Sequence, residues 1–294
     1  MSSSRFALRA LGALSFLAWA GFAAGPGQAA GQCPVTLARG IPDRTAQAPA
    51  GSEVMAVLRD AHGASRDARV MEQVLAGNVP DLLRRLWPVT FSGRRADGRA
   101  VQVTVCVTPD YLAIGDDRDF VRVPLGLAAA ARIAVEMGFL LPTPKMVDAI
   151  HGQARIRMTP QPMTPSPQME STAYLVEHDR TLDGQKGRIA RSPDDLSAGQ
   201  KKDIVLTNRL YSKPGRVAIY GWHRSDGRPI QPLSTVHGAG YADYSHGVRL
   251  VSRTAFADGR AVDLADLIQD RDLAHVVSGE GPIADPVRLL ASQY

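Results

Sequence analysis

Proline and glycine interrupt this chain so often that only short, regularly punctuated elements fit between them. The 294 residues include 20 Pro and 27 Gly. Pro removes a backbone donor and fixes φ, while Gly favours turns, so an all-helical bundle is excluded. Between these breaks the hydrophobic period changes. Helical spacing runs through 53–62, with Val54, Val57 and Leu58 on one face, and shorter helices are expected at 68–76 and 81–86. Alternation typical of strands follows at 87–91 and 100–107, joined through an Asp-Gly turn at Asp97 and Gly98. Ala-rich 125–138 reads as a helix closed by Gly138, and another is expected at 145–153, before a strand at 154–158. Four Pro between 159 and 169 mark an extended connector, and polar 177–200 reads as an exposed loop. Strands are expected again at 203–210 and 216–222, a strand or short helix at 248–252, and a short helix from Asp263. The expected class is α+β, with a helical N-terminal part carrying mixed strands and a sheet-rich C-terminal half. The expected organisation is a signal peptide over 1–30, an α/β subdomain over 31–158, a connector and loop over 159–200, and a β-rich subdomain over 201–294.

The first thirty residues argue for export. Arg5 and Arg9 precede an apolar run from Ala10 to Ala24, and small residues follow up to Ala30. That is the layout of a secretory signal peptide, and the run is short for a membrane span, so no stable span is expected after cleavage. Cleavage would remove two Arg and no acidic residue, leaving 32 basic against 29 acidic residues. A net charge of +3 does not suit a nucleic-acid binder, although it favours weak attraction to anionic envelope polymers. In an oxidising compartment the pair Cys33 and Cys106 reads as one disulfide.

The chemistry concentrates in 237–249. Thirteen residues hold His237, Tyr241, Asp243, Tyr244, Ser245, His246 and Arg249 among three glycines, with His223 upstream. Reactive side chains among glycines suit a site where backbone and side chains both approach a ligand. His237, Asp243, His246 and Ser245 are the candidate catalytic residues. An imidazole would act as general base, with Asp243 fixing its tautomer. Ser245 and His246 are neighbours and so point apart on a strand, which makes His237 or His223 the base if Ser245 is a nucleophile. Tyr241, Tyr244, His223, Lys202 and Arg249 are candidate substrate contacts, Arg249 as a bidentate clamp. Zinc is the one cofactor these residue types suggest, through His237, Asp243 and His246 with an open position. His62, His151, His178 and His275 read as surface or packing residues.

Val236-His-Gly238 followed by Ser245-His-Gly-Val-Arg-Leu250 resembles the signature of the L,D-transpeptidases of the bacterial cell wall, in which a His-Gly precedes Ser-His-Gly-Cys-x-Arg. The match covers about fifteen residues. Val248 stands where that family has its nucleophilic Cys, so the resemblance does not carry over transpeptidation. The core Asp243-Tyr-Ser-His-Gly-Val-Arg-Leu250 is also similar to exported bacterial proteins without an assigned activity. Together these features point to an exported hydrolase, periplasmic or secreted, acting on a glycan or peptide of the envelope or cell exterior. The alternative is a non-catalytic binding or scaffold protein of the same compartment, whose partner is the same kind of polymer.

Overall fold

The computed structural model describes residues 33–189, 192 and 195–294, so the expected signal peptide lies outside the described residues. In chain order the helices and strands are α1 (Gly51–Val57), α2 (Gly63–Leu75), β1 (Trp87–Arg94), β2 (Ala100–Val107), β3 (Ala113–Gly115), β4 (Phe120–Arg122), α3 (Leu127–Glu136), β5 (Phe139–Leu140), α4 (Pro144–Gln153) and β6 (Ile156–Arg157). After the proline-rich stretch come α5 (Thr172–Ile189), β7 (Ser197–Ala198), β8 (Lys202–Ile204), α6 (Arg209–Ser212), β9 (Ile219–His223), β10 (Pro229–Ser234) and β11 (His246–Gly247). The chain closes with β12 (Val251–Ala257), β13 (Arg260–Asp263), α7 (Leu264–Gln269), α8 (Ala274–Val277) and α9 (Pro286–Ala291). Helices mix with mainly antiparallel sheets, and the class is α+β.

The Asp97-Gly98 turn forms as its sequence dictates. Gly98 takes φ 84°, its N–H donates to Arg95 O at 2.9 Å, and β1 pairs with β2 in unbroken register from Trp87↔Val107 to Arg94↔Ala100. β2 is then covered on its other edge by β12, giving the order β1-β2-β12-β13, with β5 also on β12. Its central place explains why β2 loses its alternation and is buried continuously from Val103 to Val107. β12 follows the connector and β2 precedes it, so both halves of the chain build this sheet and share one hydrophobic core. Cys106, wholly buried on β2, is bonded to Cys33, with Cα atoms 5.8 Å apart.

The second sheet, β10-β9-β8-β11, carries the residues of interest. β11 runs parallel to β8, with His246 opposite Lys202 and Gly247 opposite Asp203. No helix among the described residues is long and apolar enough to cross a membrane.

The largest departure from the sequence reading is α5, eighteen residues of helix where the polar composition suggests a loop. Its buried positions include Thr172, Leu175, His178, Asp179, Leu182, Gln185 and Lys186, spaced three and four apart. The helical face exists, but most of its residues are polar, so a hydrophobic period does not reveal it. Asp179 and Lys186 find their partners on the elements that α5 packs against. Arg122, with no side-chain exposure, binds Asp110 at 3.0 Å, Asp179 at 2.9 Å and Asp183 at 2.8 Å, and Lys186 adds a 2.9 Å contact to Asp110. This network bolts α5 to the β3–β4 ribbon.

Candidate functional site

The site is assembled from three places: the 237–246 segment, the start of β8, and the bend in β9. Residues 237–239 lie along 215–217, through Val217 N–H to His237 O at 3.2 Å and Ala239 N–H to Gly215 O at 2.9 Å. Ala239 O accepts from Leu127 N–H at 2.7 Å, so the segment also occupies the otherwise uncapped start of α3. These bonds fix where His237 stands. Its ring stacks on Tyr241, centroids 4.2 Å apart and planes 12° apart. The His246 ring meets Tyr241 edge-on at 5.6 Å and His237 at 6.3 Å.

Asp243 organises the turn beneath these rings. Its Oδ1 accepts from Ser245 N–H at 2.7 Å and from Ser245 Oγ at 2.5 Å, while His246 N–H donates to Asp243 O at 3.1 Å. Its Oδ2 accepts from Tyr241 Oη at 3.2 Å and lies 3.9 Å from Lys202 Nζ. Burial works against a charge on Asp243, yet His246, Lys202 and the Ser245 donors outweigh it and hold the carboxyl below its usual range. Tyr241 is pushed up by burial and by the Asp243 charge, so its hydroxyl keeps its proton.

Lys202 sits with Nζ 4.9 Å over the Trp222 ring. The β9 backbone makes that contact through Gly221 at φ 108° and Trp222 at φ 57°, a left-handed conformation that bulky residues seldom adopt. Trp222 Nε1 donates to Gln200 O at 3.1 Å, which anchors the bent strand. The bend also directs His223 elsewhere. Its Nε2 lies 2.9 Å from Asp148 Oδ1 on α4, and its ring stacks on His151 at 4.5 Å, in a separate cluster that includes Tyr220.

His246 is fully buried, and neither of its ring nitrogens has a hydrogen-bond partner. Burial brings it down to about 4, so at neutral pH it is an uncharged imidazole with an open acceptor. Behind it lies a second lysine, just ahead of β8. Lys201, also buried, donates to Tyr244 O at 2.6 Å and lies 3.3 Å from His178 Nδ1. Burial lowers Lys201 to about 8, and burial together with the Lys201 charge lowers His178 to about 2. His178 reads in the sequence as surface or packing, and only α5 brings it here.

The candidate residues therefore divide. His237, Tyr241, Asp243, His246 and Lys202 come together, while His223 does not join them. Ser245 is 1% exposed, and its hydroxyl is committed to Asp243 and not to an imidazole, which makes it a turn residue. Tyr244 is buried against His178 and Tyr174, with its hydroxyl accepting from Met163 N–H at 2.8 Å, so it ties the connector to the site. Arg249 corrects its expected role most clearly. It is wholly buried, lies 4.2 Å over the Tyr111 ring, and donates to Thr108 O at 2.8 Å and Ser197 O at 2.7 Å. Its fork holds backbone carbonyls and is closed to a substrate anion. Among the described residues no three His, Cys, Asp or Glu side chains are arranged to hold a metal, so the geometry gives the zinc variant no ligand set. No family model, curated protein or solved structure matches the chain.

Proposed function

We propose that the chain is an exported hydrolase acting on a glycan or peptide of the cell envelope or exterior, with its reaction centred on His237, Tyr241, Asp243, His246 and Lys202. The observation that carries this reading is the convergence of these groups around an ionised carboxylate and an unpaired, uncharged imidazole. Polar groups gathered with unmet hydrogen-bonding capacity are costly to a fold and are kept where a ligand uses them. In this reading His237, half-buried at the edge of the group, exchanges the proton with substrate. Asp243 holds Tyr241 and Lys202 in place, and Lys202 offers a cation to developing negative charge. The export pattern at the N-terminus and the Cys33–Cys106 disulfide support the compartment.

One observation favours a second reading. The stacked His237–Tyr241 pair would suit a flat ligand face such as a sugar ring, which fits a non-catalytic envelope-binding protein. Incubating the purified chain with peptidoglycan and a polysaccharide panel, then analysing soluble products by mass spectrometry, separates the two. Release of defined fragments supports hydrolysis. Saturable binding with no soluble product supports the binding protein, and neither release nor binding contradicts both.

A further inference from the structure

Between 205 and 240 the chain carries Arg209, Lys213, Arg216, Arg224 and Arg228 against one acid, Asp226, which pairs with Arg228 at 3.3 Å. Three of these cations border the segment that presents His237. Arg216 pairs across the ribbon of 215–217 and 237–239 with Gly238, and its Nη1 donates to Val236 O at 2.6 Å. His237 therefore lies between the two residues on which Arg216 rests. Arg209, on α6, donates from Nη1 to Leu233 O at 2.9 Å, and Lys213 follows the last residue of that helix. All three are exposed, and among the described residues none of them forms a salt bridge. Two acids border α6. Glu280 accepts from Asn208 N–H at 2.8 Å and Asp285 from Arg288 N–H at 3.1 Å, and neither pairs with the three cations. The same elements expose Tyr211 and Val236, at 50% and 73%.

We propose that Arg209, Lys213 and Arg216 form a docking strip for an anionic polymer, whose carboxylate or phosphate groups bring it to the segment carrying His237. The proposal rests on the reading of the neighbouring cluster as a polymer-handling site, and it names the charge class of that polymer. Like charges with no acid interleaved raise a positive potential at this surface, which draws anions to it. The bonds to Leu233 O and Val236 O hold two guanidinium groups in place before a ligand arrives. Their remaining N–H groups are left to clamp a carboxylate or phosphate. A neutral glycan gains nothing from three cations, and a cationic one is repelled. Tyr211 and Val236 supply apolar surface beside the charges, which the uncharged parts of a polymer can cover.

The test is calorimetric titration of the full chain with polygalacturonate and, separately, with polyphosphate, using dextran as the neutral control. One or both polyanions should bind and dextran should not, and which one binds identifies the anionic group. The measurement is made at about 0.1 M ionic strength, where charges more than about 10 Å apart are largely screened. Arg209→Gln, Lys213→Gln and Arg216→Gln combined should then weaken binding at least about tenfold. Arg39→Gln, Arg118→Gln and Arg180→Gln combined remove the same charge from other exposed positions, and should change it less than about twofold. Circular dichroism checks the fold of both variants. Binding to neither polyanion, even where phosphatidylglycerol vesicles are bound, overturns the strip. Equally tight binding to dextran, or equal loss in the two variants, overturns it too. Polymer hydrolysis that the strip variant leaves unaffected also overturns the strip but leaves the hydrolase reading standing. Polyanion binding lost in the strip variant, in a chain that releases no product from any polymer, upholds the strip and sinks the hydrolase.

Discussion

A methyl group on Gly247 would lie 2.5 Å from the Tyr111 ring and 2.9 Å from Lys201 Cβ, so this position has no room for any other residue. Tyr111 cannot swing away, since its hydroxyl donates to Asp203 at 2.8 Å and Arg249 lies over its face. Gly247→Ala should therefore destabilise the fold by about 1–3 kcal/mol, read as a lower denaturation midpoint. Close approach at a Gly beside His246 is legible in the sequence as a glycine among reactive residues. What the glycine meets is not, because Tyr111 lies far away in the chain. The same limit applies to Arg249 and His223. Their residue types fit a substrate clamp and a catalytic imidazole, but partners on distant elements decide their roles. Protonation adds a second residue-scale prediction. His151 and His246 are held near 4 and His178 near 2, all below the usual imidazole value, chiefly by burial. Each binds its proton more readily when unfolded, so the stability it contributes is complete above about pH 6.5 and declines as pH falls toward 4. Asp203, raised to about 6 by burial, acts in the opposite direction over that window, and three histidines outweigh it. Thermal midpoints measured from pH 7 to pH 4.5 should fall steadily, and a flat profile would contradict the burial of these rings.

Among the elements, α5 is the instructive one. Its inward face carries His178, Asp179, Gln185 and Lys186, so the helix is held by ion pairs and hydrogen bonds more than by apolar burial. A reading based on hydrophobic period finds β1, β2, α3 and α4, whose buried faces are apolar, and misses α5 for that reason. Arg122→Met should cost about 3–5 kcal/mol, since it strands Asp179 in the interior without its cation and leaves buried Asp110 with Lys186 alone. Hydrogen exchange should then be fastest along α5. If its protection is unchanged, this network is not what holds the helix.

Across the whole molecule, the α+β class and the pairing of Cys33 with Cys106 were legible from pattern and compartment. The interleaving of the two halves was not, because β12 joins β2 across more than 140 residues of sequence. The disulfide closes 73 residues of chain, and in the chain-entropy model it contributes about 4 kcal/mol. Cys33→Ser together with Cys106→Ala should lower the guanidinium midpoint accordingly, while the sheet order persists. All these scales meet at the five residues gathered around Asp243. The most direct measurement is product release from the polymer that the wild-type chain degrades, made with His237→Ala and His246→Ala proteins whose folding is checked by circular dichroism. A loss of about a hundredfold or more with the fold intact is predicted. Full activity in both folded variants would contradict the assignment of the site.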